Sequence, residues 1–473
     1  MNCPPGTAVR RGAAAIVYVA VLGSCAATAT APGQARNVIL MIGDGMDEQQ
    51  ITLARDYVHG AEGGFAMEQM PRRVSVKVQT VMEAPPHGTD FIADSANTAT
   101  SIATGELTSQ GRLATSAGDD RELPTIVEQA WAGGLRTGIV TTARVTDATP
   151  AAFVAHVSSR ECEGPRSTAP AAGVSGCPAD LQSAGGRGSI AEQLAASKLD
   201  LLFGGGAQYF AEPAPGAGTV AGIAQRNGFR VLHDARQMTE LQPGARALGL
   251  FARGNLAREW SGENARVAET IALDAQGKPR FPQPFGCVPN IADQPPVTLE
   301  AMTRQALRLL ETDNPRGFLL VVEGASIDKA AHDRDPCGEI GELQAFDRAV
   351  KTAREFVAAN PDTLLIVTAD HAQAGQVVGA PALYREYGEW SGRAEYNPGF
   401  YAVLRTPRGE LLGVSYATNA AGTQEELHTG GNVPAYIEGP GSARVPILIA
   451  QRELYTLMHA HLGLPMADSA ATP

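Results

Sequence analysis

Hydrophobic residues along this chain fall into short unbroken runs, separated by longer stretches in which they recur every three or four positions. The runs are Asn37-Val38-Ile39-Leu40-Met41-Ile42, Thr137-Gly138-Ile139-Val140-Thr141, Leu201-Leu202-Phe203, Phe318-Leu319-Leu320-Val321-Val322 and Leu364-Leu365-Ile366-Val367-Thr368. A run that is apolar throughout predicts a strand covered on both faces. Between the runs, Leu123 to Ala132, Ile190 to Ala196, Thr298 to Leu310 and Ile340 to Ala358 carry helical spacing. The alternation predicts an α/β fold, a doubly wound and largely parallel central sheet with helices on both faces. Ligands in such sheets bind beyond the carboxyl ends of the strands.

The residues just past the runs are therefore the ones that carry information. Past the first comes Gly43-Asp44-Gly45, and past the second the loop Thr146-Asp147-Ala148-Thr149-Pro150. Past the fourth comes Glu323-Gly324-Ala325-Ser326-Ile327-Asp328, and past the fifth Ala369-Asp370-His371. Acidic residues and a histidine recur at one edge of one sheet, which no single carboxylate would suggest. The stretch "ADSANTATSIATG" from Ala93 to Gly105 predicts a short helix, with small residues after an Asp-Ser pair and a glycine stop. The segment from Gln373 to Thr423 breaks the alternation. It gathers Tyr384, Tyr387, Trp390, Tyr396, Phe400 and Tyr401, and reads as an insertion that covers the site, forms an interface or packs in the core.

Composition bounds the rest. A chain of 473 residues with 44% hydrophobic and 19% charged residues is a globular protein with ample core. Its formal net charge of -12, with no basic stripe, argues against nucleic acid as a partner. Arg10 and Arg11 precede an apolar stretch from Ala13 to Leu22 that is too short for a stable membrane span, so residues 1–31 read as a targeting segment, and 32–473 as one large domain with insertions or as two domains. Leu22-Gly23-Ser24-Cys25 fits a lipoprotein signal with Cys25 acylated, whereas Ala27-Thr28-Ala29 fits ordinary cleavage, and the Arg10-Arg11 pair faintly suggests twin-arginine export. Export places Cys162, Cys177, Cys287 and Cys337 in an oxidising compartment, periplasmic, secreted or at the cell envelope. Three pairings are open to four cysteines. The short Gly-, Pro- and Ser-rich loop from Cys162 to Cys177 favours that bridge, with Cys287–Cys337 as the other.

Asp328 and His332 stand four apart, which on a helix puts both side chains on one face within reach of one metal ion. Asp370-His371 is an adjacent pair at a strand end, and His428 adds a third imidazole in a glycine-bounded loop. Alone, each pair reads as an ordinary surface or core contact. Together, three imidazoles with carboxylates suit zinc, and the oxygen set Glu323, Thr149 and Asp147 suits magnesium, with Asp44 placed to bridge. Paired cations stabilise both the attacking and the leaving oxygen of an in-line displacement, which is what phosphoryl transfer needs.

The blocks "VILMIGDGM", "ADSANTATSIATG", "TDATPAAFVAHVSSREC", "LLFGGGAQYF", "VVEGASIDKAAH…DPCGEIGE", "IVTADHAQ" and "EELHTGG" occur in an order and spacing that resembles bacterial alkaline phosphatase, from about Arg36 to Leu464. The resemblance implies a single catalytic domain over 32–473, in a homodimeric, metal-dependent phosphomonoesterase with two Zn2+ and one Mg2+ per subunit. It implies that Asp328, His332 and His428 hold one zinc, and that Asp44, Asp370 and His371 hold the second beside the nucleophile Ser95. Asp44, Thr149 and Glu323 would bind magnesium, with Asp147 contacting its waters. Arg160 would clamp the phosphate of small phosphate monoesters, and Lys329 would add positive charge. The expected reaction runs through a phosphoserine, over a broad substrate range and with an alkaline optimum. Asp147 and Lys329 are the pair found in the magnesium-using branch of the family. Membrane contact is expected only through a lipid anchor at Cys25.

Two departures stand out. Ala96-Asn97-Thr98 after Ser95 is a polar variation on the family's small-residue run, and the segment at about 373–423 is longer than expected. Other readings are a phosphodiesterase or sulfatase of the same superfamily and an inactive exported metal- or phosphate-binding protein. Ser95-Ala96-Asn97-Thr98-Ala99 lacks the x-Pro-x-Arg that sulfatases require, Arg160 disfavours a diesterase, and no key residue is missing.

Overall fold

The computed structural model describes residues 36–60, 62–171, 175–214, 216, 218–273, 275, 279–291, 293–379, 399–418 and 425–465. Ten strands form its main sheet: β1 (Asn37–Gly43), β2 (Arg72–Lys77), β3 (Arg136–Arg144), β4 (Leu201–Gly205), β5 (Arg230–Leu232), β6 (Ala247–Leu250), β7 (Phe318–Gly324), β8 (Thr363–Ala369), β9 (Val433–Glu438) and β10 (Leu448–Ala450). They lie in the order β10-β2-β9-β8-β1-β7-β3-β4-β6-β5. From β8 to β5 every neighbouring pair is parallel, whereas β9 runs antiparallel to β8 and to β2.

The five apolar runs are the five central parallel strands. Every residue of β1, β7 and β8 is buried, as a strand covered on both faces requires. Gly43 at the end of β1 is level with Gly324 of β7 and with Ala369 of β8. The chain therefore leaves three adjacent strands side by side, with Asp44 and Asp370 as the first residues out.

Helices cover the faces: α1 (Glu48–Val58), α2 (Ser95–Thr104), α3 (Ile126–Ala132), α4 (Ala148–Ala151), α5 (Ile190–Ala196), α6 (Leu299–Glu311), α7 (Ser326–His332), α8 (Pro336–Ala359) and α9 (Glu453–Leu462). In α6 the buried residues Leu299, Met302, Thr303, Ala306, Leu307 and Leu310 repeat at three and four, which is the stripe that packs on α8 and on β3. α3 starts at Ile126 rather than Leu123 because Thr125 and Glu128 close a reciprocal capping box there. α8 begins at Pro336, a turn before Ile340, with Asp335 capping it and proline in its first turn.

Both disulfides are formed. Cys162 is bonded to Cys177 and Cys287 to Cys337, with Cα–Cα separations of 6.2 and 5.2 Å. The described parts of the 373–423 segment make a second sheet, in which Gln376–Val378, Phe400–Arg405 and Leu411–Tyr416 join Glu269–Thr270. Tyr401 is buried there and donates its hydroxyl to the Gly379 carbonyl at 2.7 Å. Arg334 lies over the Phe400 ring, 3.7 Å from its centroid. Tyr384, Tyr387, Trp390 and Tyr396 lie outside the described residues.

Candidate active site

The helix predicted around "ADSANTATSIATG" is α2, and its N-cap is Asp94. Asp94 accepts the Asn97 N–H at 3.1 Å and Asn97 returns the bond to the Asp94 N–H at 3.0 Å. Ser95 is therefore the first helical residue, buried, at the end where backbone N–H groups and the helix dipole favour an anion. Its Oγ lies 3.0 Å from His371 Nε2 and 3.4 Å from Asp44 Oδ1.

Metal-type donors converge beyond that hydroxyl in two sets. One is Asp328, His332 and His428, and the other Asp44, Asp328 and His371, with ligand atoms within 4.8 Å of one another in each. α7 supplies Asp328 and His332 on one face, as their spacing predicts. The Nδ1 atoms of His332 and His428 face the carbonyls of Glu426 at 2.5 Å and of Ala93 at 2.8 Å. A carbonyl only accepts, so each Nδ1 carries a proton, and in the neutral imidazole each Nε2 offers its lone pair to a metal ion. Those two Nε2 atoms lie 3.0 Å apart, and 3.4 and 3.5 Å from Asp328 Oδ1. Facing lone pairs beside a carboxylate are a donor set that fits zinc.

Asp370 stands beside the second set, in contact with His371, and divides its two oxygens between different tasks. Its Oδ1 accepts the N–H groups of Gly45 at 3.0 Å and of His371 at 2.9 Å, while Oδ2 accepts no hydrogen bond and lies 3.3 Å from His371 Nε2. Gly45 has φ +65, and a Cβ there would stand 3.0 Å from the Asp328 Cβ. Only glycine lets the turn after β1 pass so close to α7.

The oxygen-rich residues sit on the other flank. Glu323 is buried near the end of β7, accepts the Thr141 hydroxyl and faces the Thr149 hydroxyl, and burial pushes its carboxyl up to about 7. Asp147 caps α4 and accepts the Ala148 N–H at 2.9 Å. Neither Asp147 nor Glu323 joins the two imidazole-bearing sets. Glu323, Asp44 and Thr149 offer oxygen atoms alone, the donor type that suits magnesium.

Three cations surround Asp147: Lys329 Nζ at 3.0 Å, Arg160 Nη2 at 3.1 Å and Arg144 Nη2 at 3.3 Å. Burial opposes its ionisation, yet these neighbours together hold its carboxyl well below the usual range. Burial likewise opposes the charge on Lys329, which Asp147, Asp44 and Asp328 more than restore. Asp44 behaves in the opposite way. Burial and then the neighbouring Asp370 and Asp328 push its carboxyl well up, so the cluster is crowded with negative charge that a cation would relieve.

The candidate catalytic and ligand-type residues singled out from the sequence are thus near this strand edge. Reading by motif missed the residues that hold them. Asp94 Oδ2 accepts from Arg160 Nη1 at 3.3 Å, Gln373 Nε2 donates to Asp328 Oδ1 at 2.6 Å, and Gln451 Nε2 donates to the Asp370 carbonyl at 2.5 Å. The first two stand inside quoted blocks, "ADS" and "DHAQ". Nothing in the sequence marks Gln451.

The family model described as alkaline phosphatase matches residues 35–464. Streptomycin-6-phosphate phosphatase of Streptomyces griseus is 39% identical, over 96% of this chain and 98% of its own. Alkaline phosphatase of Escherichia coli (strain K12) is 39% identical, over 91% and 86%. Among solved structures, alkaline phosphatase from the Antarctic bacterium TAB5 superposes with a TM-score of 0.63 at 22% identity, over 92% of this chain and 99% of that one.

Proposed function

This chain belongs to the alkaline phosphatase family and hydrolyses phosphate monoesters, and from that premise we propose that Ser95 is the nucleophile of a covalent, metal-assisted reaction. The observation that carries the proposal is the Ser95 hydroxyl, buried at a helix N-terminus with metal-type donors from three strand ends around it. Asp328, His332 and His428 would hold one zinc, Asp44, Asp370 and His371 the second, and Asp44, Thr149 and Glu323 a magnesium with Asp147 beside it. Bound there, the cations would supply Lewis-acid stabilisation of the attacking and leaving oxygens and lower the Ser95 hydroxyl pKa.

The protein's own groups do the rest. Arg160 offers paired donors to two phosphoryl oxygens, with Asp94 and Asp147 fixing its plane. The first N–H groups of α2 face the same anion. Lys329, held against Asp147, adds a fixed positive charge without leaving its pocket. Ser95 Oγ bonds to phosphorus as the ester oxygen leaves with a proton. Water then cleaves the phosphoserine, which returns the hydroxyl and releases inorganic phosphate. Recognition confined largely to the phosphoryl group supports a broad substrate range, and a serine hydroxyl that must ionise supports an alkaline optimum.

Residues 1–31 act in this reading as an export signal, with the mature chain periplasmic, secreted or anchored through Cys25. Two disulfides support an oxidising compartment, and among the described residues no helix is long and apolar enough to cross a membrane. The active form is a homodimer. Phe91, Ile92, Ile447 and Leu448 are large exposed hydrophobic residues of the kind that interfaces cover.

The test is hydrolysis of p-nitrophenyl phosphate against its bis ester at alkaline pH, for wild type and Ser95→Ala, with and without chelator. Monoester preference is expected, with loss of about 10³-fold or more in the variant and after chelation. A preference for the diester, or activity that chelator leaves intact, overturns the proposal.

A further inference from the structure

Arg144, the last residue of β3, gives each nitrogen of its guanidinium to a different residue. Nε donates to Glu163 Oε2 at 2.8 Å, Nη1 donates to Asn255 Oδ1 at 3.0 Å, and Nη2 lies 3.3 Å from Asp147 Oδ2. The same Asn255 oxygen accepts the Arg144 backbone N–H at 3.1 Å, which ties the side chain back to its own strand. The Asp147 N–H donates to the Arg144 carbonyl at 2.9 Å, and this tight turn brings the two side chains together three residues apart.

Glu163 anchors the arginine from the other side. Its side chain is only 10% exposed, and both of its oxygens are used. Oε2 also accepts the Thr146 hydroxyl at 2.5 Å, and Oε1 accepts the Tyr209 hydroxyl at 2.9 Å. Tyr209 belongs to the short helix Ala207–Phe210 that follows β4. Burial, and then Glu163, push its hydroxyl up to about 12, so it still donates at about pH 9. The contacts therefore run from Tyr209 through Glu163 and Arg144 to Asp147. Every charge on this path is shared: Asp147 meets Lys329, Arg160 and Arg144, Arg160 is also held by Asp94, and Arg144 by Glu163.

The two oxygens of Asp147 face different neighbours. Oδ1 accepts the Ala148 N–H and lies 3.1 Å from Arg160 Nη2, whereas Oδ2 lies between Lys329 Nζ and Arg144 Nη2. Lysine is a point charge on a flexible stem, but Arg144 is immobilised at all three nitrogens. Resting on the reading of Arg160 as the phosphate clamp, we propose that Arg144 is a positioning residue for that clamp. Anchored by Glu163, it fixes the direction of the Asp147 carboxylate, and Asp147 in turn holds Arg160 and Lys329 ready for the phosphoryl group. The role is geometric, so a charge at position 144 is not enough. A lysine there keeps the charge but cannot span Glu163, Asn255 and Asp147 from one nitrogen.

The experiment measures binding of inorganic phosphate to the metal-loaded enzyme by titration calorimetry, with thermal midpoints alongside. Wild type, Arg144→Lys, Arg144→Gln and Glu163→Gln are compared, each also combined with Asp147→Asn. A dissociation constant does not depend on how much of a preparation is folded, and Glu163→Gln carries the test if the Arg144 variants do not fold. Each single variant should weaken phosphate binding about five-fold, Arg144→Lys as much as Arg144→Gln. In the Asp147→Asn background the same changes should shift it by less than about two-fold, because residues that act through one another are not additive. Equal factors in the two backgrounds overturn the proposal, as does wild-type affinity in Arg144→Lys. So do lowered midpoints with unchanged phosphate affinity, which is what a structural role alone gives. If Arg160→Ala binds phosphate as wild type does, the clamp reading itself is what fails.

Discussion

Asp94 and Arg160 are joined at 3.3 Å, and the same Asp94 carboxylate accepts the Gly111 N–H at 3.0 Å while its other oxygen caps α2. One side chain thus sets both the start of the nucleophile's helix and the plane of the guanidinium that faces it. Asp94→Ala should lower stability by about 1 kcal/mol through the lost cap and raise the inhibition constant for inorganic phosphate several-fold as Arg160 loses one of its two partners. Asp94→Asn should recover the thermal midpoint, since asparagine caps well, without recovering phosphate affinity. Melting curves and phosphate inhibition of the two variants check this.

Gly45 is a second point at which a small change reaches the site. Gly45→Ala imposes a left-handed conformation on an L-residue and sets a methyl 3.0 Å from Asp328. The expected cost is about 1–2 kcal/mol of stability. The more telling readout is metal content after dialysis, which should fall relative to wild type because Asp328 belongs to both imidazole-bearing donor sets.

Glu342, in the buried face of α8, gives a pH-dependent prediction away from the site. Burial, and then the charge of Glu259, pushes its carboxyl from an ordinary 4.5 up to about 7. Below about pH 4.5 both folded and unfolded chains hold the proton, and the contribution to stability is whole. As pH rises towards 7 the unfolded chain ionises while the folded one stays protonated, so stability is lost, by about 3 kcal/mol at most. Glu342→Gln keeps an acceptor for the Glu259 N–H, 2.9 Å away. Its urea midpoint should decline less than that of wild type between about pH 5 and 7; parallel declines would contradict the assignment.

The two disulfides should differ in worth. The Cys162–Cys177 bridge spans 15 residues and the Cys287–Cys337 bridge spans 50. Loop-closure entropy gives about 3 and about 4 kcal/mol respectively. The longer bridge also ties the first turn of α8 to a strand pair that holds Gly262 opposite Cys287. Replacing Cys287 and Cys337 by serine should therefore lower the denaturation midpoint more than the same change at Cys162 and Cys177.

Legibility from sequence followed burial. β1, β3, β4, β7 and β8 could be read because strands covered on both faces are apolar without interruption, and they carry Asp44, Glu323 and Asp370 at or just past their ends. The other side of the sheet could not. β2 reads Arg-Arg-Val-Ser-Val-Lys with only two buried side chains, β9 holds Pro434, and β10 has three residues. The ligand-type residues stood out by chemistry and spacing, whereas Gln373 and Gln451 act through single hydrogen bonds from positions that no periodicity distinguishes. The identity of the α2 cap was a matter of one residue. Asp94 takes it because its shorter-range partner Asn97 answers with a reciprocal bond.

α7 is seven residues long and carries Asp328, Lys329 and His332, with Glu323 just upstream at the end of β7. Each helical residue turns its side chain by about 100°. A one-residue deletion within Ala325–Ala331 would thus swing the downstream side chains off the site together, and no compensating substitution elsewhere could restore them one at a time. His428, alone on its loop, has no such linkage. The ten positions 323–332 therefore behave as one heritable unit, able to accept a changed side chain but not a changed length.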